Sequence, residues 1–352
     1  MTIIRYISRL IFCFAILLMV SACAKPTEQP FAQNLSTPLL KGKEVLVTGD
    51  KADLPMKVWM PKKEKPKAII IALHGFNDYS NAFAIPAKSL NESGIAVYAY
   101  DQRGFGRNPQ AGIWAGIDNL AADLADMITA VRSKHPKTPI YVLGESMGGA
   151  VAIAATTSPD FPKIDGLILS APAIWGDDTM NSFYRMTLWV LAHMVPSNTA
   201  TGSDLRILAS DNIAMLREMG KDPYVLKSTR IDAVYGMVGL MDRAYSSVPK
   251  LNTPVLLLYG ANDQVIPPLP IKEAAKKLPS MDKIAYYPLG YHMLLRDLNN
   301  HLVIGDIVSW IRNRKAPLPS GYELDANAFS KKNSLHETSL ASTVRPTVHH
   351  NK

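Results

Sequence analysis

Short apolar runs of β-branched character alternate with segments of helical period through most of the chain. Glu44 to Val47 and Met56 to Met60 read as a hairpin pair at the start of this rhythm. Ala68 to Leu73 and Ile95 to Tyr100 are continuous apolar runs of the type buried on both faces of a sheet. Leu120 to Val131 places its apolar residues at helical spacing, and Ile140 to Leu143 is again strand-like. Gly149 to Thr156, rich in Ala and Val, reads as a buried helix. Leu167 to Leu169, Val255 to Tyr259 and Ile284 to Tyr287 continue the strands, and Leu302 to Ile311 reads as a closing helix. This alternation predicts an α/β architecture, a mostly parallel sheet with helices on both faces.

The rhythm breaks between about Ile174 and Val248. That stretch has no buried-strand run, contains Trp175, Tyr184 and Trp189, and carries seven of the methionines: Met180, Met186, Met194, Met215, Met219, Met237 and Met241. A long helical insertion after a core strand reads as a cap over a site. Methionine-rich helices usually belong to plain cores, although pliable Met surfaces also suit apolar ligands. The expected organisation is a folded domain over residues 41–314 with the cap at about 174–248. A Pro-punctuated linker over 23–40 (Pro26, Pro30, Pro38) precedes it, and a polar, patternless tail from 315 to 352 is expected to be disordered.

The N-terminus alters the picture of where this domain works. Arg5 and Arg9 precede an apolar run from Leu10 to Val20, which is shorter than the roughly 20 residues a permanent span needs. Residues 1–22 therefore read as an export signal. The ending Val20-Ser21-Ala22-Cys23 resembles the lipobox of bacterial lipoproteins, which implies cleavage before Cys23 and lipidation of that cysteine. Ala24 in the next position implies, by the same resemblance, the outer membrane of a cell envelope. The alternative is an ordinary secretory signal that happens to contain a cysteine. The chain has two cysteines, Cys13 in the signal and Cys23 at the expected anchor, so no disulfide, thiolate metal site or cysteine nucleophile is expected in the exported domain. A net charge of +8 and a pI near 9.2 raise the possibility of an anionic partner. The excess gathers at Lys62, Lys63, Lys65 and Lys67 and at Arg312, Arg314 and Lys315, without a basic helix or an aromatic-interleaved basic stripe, which disfavours nucleic acid. A solvated surface, with some attraction to an anionic membrane, fits better.

Candidate chemistry concentrates at Tyr141-Val-Leu-Gly-Glu-Ser-Met-Gly-Gly-Ala150, where an apolar strand ends in a serine between glycines and turns helical. A serine at the tip of such a strand-to-helix turn sits in crowded, strained backbone. Gly144 and Gly148 remove side chains that would collide there, and Gly149 lets the following helix approach the sheet. A G-x-S-x-G match alone is also a glycine-rich surface turn, but the strand before it and the helix after it favour a nucleophile elbow at Ser146. A serine hydroxyl is a weak nucleophile and needs a base and an acid to orient that base. Asp263 ends Val255-Leu-Leu-Leu-Tyr-Gly-Ala-Asn-Asp263, a strand followed by a glycine turn, and His292 follows the next strand in Pro288-Leu-Gly-Tyr-His292. These supply acid and histidine in the order required after the nucleophile. Asp282 and Asp297 lack the strand–glycine–acid setting. His74 reads as structural, while His135, His193 and His301 lie in a loop, in the cap and on a helix. Backbone N–H groups of Phe76 and Met147 are the expected donors to an oxyanion.

His74-Gly75-Phe76, Tyr100-Asp-Gln-Arg-Gly-Phe-Gly106, Gly144-Glu-Ser-Met-Gly-Gly149, Gly260-Ala-Asn-Asp263 and Gly290-Tyr-His292 together resemble the α/β-hydrolase superfamily, within it the monoacylglycerol lipase and lysophospholipase-like group. The similarity runs from about Lys43 to Lys315. It implies a serine ester hydrolase acting on fatty-acyl glycerides or lysophospholipids through an acyl-enzyme, without metal or cofactor. Related chains often carry Ser where Asn108 stands here. Two alternatives remain open at this point: an amide- or peptide-cleaving hydrolase on the same fold, and a non-catalytic lipid-binding lipoprotein.

Overall fold

The computed structural model describes residues 24–32, 36–62, 65–175, 181–202, 207–278 and 283–332. The expected export signal, Cys23, Lys63, Met180, Asp282 and the tail beyond Lys332 lie outside them. Ten strands form one sheet: β1 (Leu39–Lys41), β2 (Val45–Val47), β3 (Asp53–Trp59), β4 (Ala68–Leu73), β5 (Ile95–Tyr100), β6 (Ile140–Glu145), β7 (Gly166–Ser170), and, beyond the cap, β10 (Val255–Gly260), β11 (Lys283–Tyr287) and β12 (Glu323–Leu324). Their order across the sheet is β1-β2-β3-β5-β4-β6-β7-β10-β11-β12. The six from β5 to β11 in that order are mutually parallel, and the edges are antiparallel. β4, β5, β6 and β10 are buried at every position, which is why their sequences are continuous apolar runs rather than alternating ones.

Helices α1 (Ala84–Glu92), α2 (Ile117–Lys134) and α3 (Met147–Thr156) follow β4, β5 and β6. Within the insertion lie α4 (Ser182–Met194), α5 (Ile213–Lys221) and α6 (Ile231–Ser247), with a small ladder of β8 (Thr199–Ala200) and β9 (Thr229–Arg230). After it come α7 (Pro268–Lys276), α8 (Asn300–Arg312) and α9 (Ala326–Lys331). Two apolar layers form, one on each face of the sheet. Ile69, Ile71 and Leu73 of β4 point into one layer with α2, α3 and α6, while Ile70 and Ala72 point into the other with α1 and α8.

Three boundaries differ from the sequence reading. α6 packs against α3, and its Ala233, Met237, Leu240, Met241 and Ala244 are buried in the main core. This last part of the insertion is therefore a layer helix, and Ala209, Asn212, Leu226 and Thr229, which precede it, are what bond to the loops of the site. Met237 and Met241 are plain core.

The segment expected to be a linker is fastened to the domain. Thr27 N–H donates to Asp232 (3.1 Å), Gln29 N–H donates to the Trp114 carbonyl (2.9 Å), and Leu39–Lys41 forms the edge strand. The tail is likewise structured as far as Lys332. β12 adds antiparallel to β11, and Phe329 of α9 is fully buried against Tyr259 and Tyr286. A two-residue strand and a one-and-a-half-turn helix carry too little periodicity to be recognised in sequence. Their stability comes from the exposed edge and ring pocket they cover.

Candidate active site

Ser146 links β6 to α3 in a conformation that L-residues avoid, φ +53° and ψ −117°. Its backbone is held from several directions. The N–H donates to Ser170 O (3.0 Å), and the carbonyl accepts from Gly149, Ala150 and Ala173. The glycines make the turn possible. A Cβ on Gly144 would lie 2.5 Å from the Gly148 carbonyl, one on Gly148 would strike the Leu73 carbonyl, and one on Gly149 would lie 2.7 Å from Pro172 Cβ. Gly148 and Gly149 thus set how closely α3 approaches the ends of β4 and β7.

The other two predicted residues reach the same rim because β10 and β11 lie beyond β6 and β7 in the sheet and end at the same edge. Asp263 follows β10 in a turn closed by its N–H on the Gly260 carbonyl (3.2 Å). Its Oδ1 accepts from the N–H groups of Val265 and Ile266 (2.8 and 2.9 Å), which aims Oδ2 at His292 Nδ1, 2.9 Å away. Ionised aspartate only accepts, so Nδ1 carries the proton and Nε2 keeps a free lone pair. Gly260 is what admits the histidine loop, since a Cβ there would sit 2.5 Å from the carbonyls of Gly290 and Tyr291. Burial disfavours a charged His292 ring. The Asp263 carboxylate, its hydrogen bond and the charge of Glu145 outweigh that burial and hold the pKa above the ordinary histidine value. Ser146 Oγ has no hydrogen-bond partner among the described residues, a common state of such sites before substrate tightens them.

Gly75 lies against the serine: a Cβ built on it would be 3.4 Å from Ser146 Cβ and 3.9 Å from Oγ. The N–H groups of Phe76, next in that turn, and of Met147, the first residue of α3, meet no acceptor among the described residues. The turn is stiffened from behind by His74. Its Nδ1–H donates to Gly75 O (2.8 Å), while Nε2 accepts the Gln102 N–H (2.9 Å). Burial lowers the His74 pKa, so this ring is neutral and structural. Asn108 donates to the carbonyls of Asp101, Gln102 and Phe105, and so ties down the loop that contacts His74.

Of the competing residues, Asp297 serves the loop rather than the ring. It accepts from Ser210 Oγ (2.6 Å) and from Tyr291 N–H (2.8 Å), and burial pushes its carboxyl up to about 6. Asp282 lies outside the described residues. His135 pairs with Tyr98, and His193 stacks on Trp189.

Sequence reading missed a buried charge cluster beside the site. Arg296 Nη1 donates to Asp78 (2.7 Å) and Nη2 donates to Glu145 (3.0 Å), and all three side chains are buried. The sequence separations of 218 and 151 residues left no local pattern to find. The cap's attachments were also invisible. Leu226 N–H and Thr229 Oγ1 bind Asn77, next to Phe76, while Ala209 and Asn212 bind the backbone of Met293 and Arg296, just past His292.

A model of the family described as serine aminopeptidase, S33, matches residues 64–299. A monoacylglycerol lipase of Mycolicibacterium smegmatis is 24% identical over 268 residues, spanning 72% of this chain and 91% of its own length. A monoglyceride lipase of Rattus norvegicus is 26% identical over 278 residues, spanning 77% of this chain and 90% of its own. Among solved structures, a soluble variant of the Saccharomyces cerevisiae monoglyceride lipase aligns with a TM-score of 0.66 at 19% identity, over 82% of this chain and all of that one. The match over most of the folded domain, on a sheet of this order, places the chain in the serine aminopeptidase S33 family, as a serine hydrolase of α/β-hydrolase fold.

Proposed function

We propose that this chain hydrolyses carboxylic esters of the monoacylglycerol or lysophospholipid type through Ser146, His292 and Asp263. The observation that carries the reading is the Asp263–His292 hydrogen bond at 2.9 Å on the rim where a strained serine stands beside a turn of free backbone donors. His292 Nε2 takes the Ser146 proton as Oγ attacks the ester carbonyl. The negative charge that develops on the carbonyl oxygen is received by the N–H groups of Phe76 and Met147. His292 then protonates the departing alcohol, leaving an acyl group on Oγ, and a water activated by the same ring releases the acid.

Lipid is favoured over small ester substrates by the cap. In α4 only Ala192 is buried, while Phe183, Tyr184, Met186, Trp189, Val190, Leu191 and Met194 are exposed, Tyr184 by 69%. An apolar face of that size suits contact with aggregated lipid. The relatives named monoacylglycerol and monoglyceride lipase support the same substrate class. We further propose that Cys23 carries a lipid anchor that holds the domain at a bacterial envelope membrane, a reading that rests on the lipobox-like sequence.

A fluorophosphonate probe tests the chemistry: it should label the parent chain, and Ser146→Ala should abolish labelling. Equal labelling of both would remove Ser146 from the mechanism. The family description raises a second reading, cleavage at a peptide N-terminus. A substrate ammonium needs a free carboxylate near Ser146, and among the described residues Asp78 and Glu145, on the turn and strand end beside it, are held by Arg296. Monoacylglycerol should therefore be turned over with higher kcat/KM than aminoacyl arylamides, and the reverse ranking would favour the peptidase.

A further inference from the structure

We propose that Arg296 is a positioning residue, whose single buried guanidinium clamps the oxyanion turn, the nucleophile elbow and the histidine loop into one catalytic geometry. The proposal rests on the Ser146–His292–Asp263 reading. Each partner of Arg296 belongs to a different part of that site. Asp78 closes the turn that contains Phe76, its N–H donating to the Gly75 carbonyl (3.2 Å). Glu145 is the residue directly before Ser146, the last of β6. Arg296 itself lies in the turn that follows His292, with its N–H on the Met293 carbonyl (2.8 Å).

The fork is divided: Nη1 holds Asp78 Oδ2 at 2.7 Å and Nη2 holds Glu145 Oε2 at 3.0 Å. Two carboxylates on separate segments are thus fixed at the spacing of one rigid planar group. An ammonium, a point charge on a flexible stem, cannot reproduce that spacing. At 5% exposure the guanidinium is also shielded from solvent, so its attraction to both acids is little screened. Among the described residues no other hydrogen bond runs directly from the histidine loop to the turn or the elbow. The turn after β4 and the elbow touch through Gly75 and Ser146, but the histidine loop hangs from β11, two strands beyond β7. Asp263 orients the His292 ring, and Arg296 fixes where the loop bearing that ring sits relative to Ser146. Burial raises the Glu145 carboxyl above its ordinary range even with the guanidinium against it. The Glu145 charge favours the protonated form of His292, alongside Asp263 and against Arg296.

Arg296→Lys and Arg296→Met in the full chain test the clamp. With a short-chain p-nitrophenyl ester, kcat is expected to fall by about 100-fold in both, the scale of a small misplacement of reacting groups. KM should stay within about threefold, and fluorophosphonate labelling of Ser146 should slow in step with kcat. Arg296→Lys keeps the charge and should stay folded by circular dichroism, so its loss reports geometry rather than unfolding. Folded Arg296→Lys with kcat within about threefold of the parent overturns the clamp. Arg296→Lys also supplies a measure independent of turnover: the His292 ring resonances in NMR should shift from their parent positions as the loop moves. If the parent is not labelled at Ser146, the functional reading falls instead. The clamp then stands or falls on those resonances, and His292 signals unchanged in Arg296→Lys overturn it.

Discussion

Ser146 holds a backbone conformation that costs on the order of 1–3 kcal/mol for a residue with a side chain, and the hydrogen bonds around it make no other conformation available. In the proposed triad the acid works by orientation as much as by charge, since Asp263 fixes which ring nitrogen of His292 is free. Asp263→Asn should therefore keep the fold but lower kcat by roughly 10⁴-fold, the scale for loss of the correct tautomer in such triads. The same pair predicts the pH profile. In the proposed mechanism His292 must be neutral to accept the serine proton, and its pKa is raised, so the acid limb of kcat/KM should lie above about 6.5, the unperturbed histidine value. An acid limb below that value would contradict the electrostatic account. Gly260 offers a sharper steric test. Gly260→Ala pushes a methyl group against the Gly290 and Tyr291 carbonyls, and kcat should fall by about 100-fold as His292 moves, measured on a soluble ester.

Elements matter where they end as much as where they run. α4 leaves its aromatic and aliphatic side chains in solvent, a cost that only an apolar surface would relieve. Replacing Phe183 and Trp189 by Ser should leave hydrolysis of a soluble short-chain ester within about twofold, while activity on monoacylglycerol in vesicles drops by about tenfold. Equal loss on both substrates would place those residues in the chemistry or the fold instead. At the other end of the chain, α9 and β12 seal the outer edge of β11. Phe329→Ala should cost about 3–5 kcal/mol, read by denaturant unfolding, because the ring is fully enclosed by Tyr259 and Tyr286. A negligible change would mean that this C-terminal segment does not contribute to the folded domain.

For the whole molecule, the proposed anchor and the fastened segment after it have a joint consequence. Because Thr27 and Gln29 are bonded to the domain, only Ala24 to Pro26 separate Cys23 from the first fixed residue. Cys23→Ser should move the protein from the membrane to the soluble fraction, with soluble-ester kcat unchanged. Much of this molecule could be read from the chain. The central strands are buried on both faces, so each writes itself as an apolar run. The elbow demands glycines at fixed spacing, and the strand–glycine–acid and strand–loop–histidine patterns are local. Sequence alone thus determined the sheet class and singled out Ser146, Asp263 and His292 as the proposed triad, because in each case the constraint acts between residues a few positions apart. It did not reveal β12 or α9, which are too short to carry a period and exist only because an edge and a pocket receive them. Nor did it separate α6 from the cap, since a helix facing the core and one facing a site carry similar methionines. The Asp78–Arg296–Glu145 cluster and the cap's bonds to Asn77 and Met293 were decided by tertiary structure alone. Such interactions join segments up to 218 residues apart, and charge pairing at that range leaves no mark until folding brings the partners together.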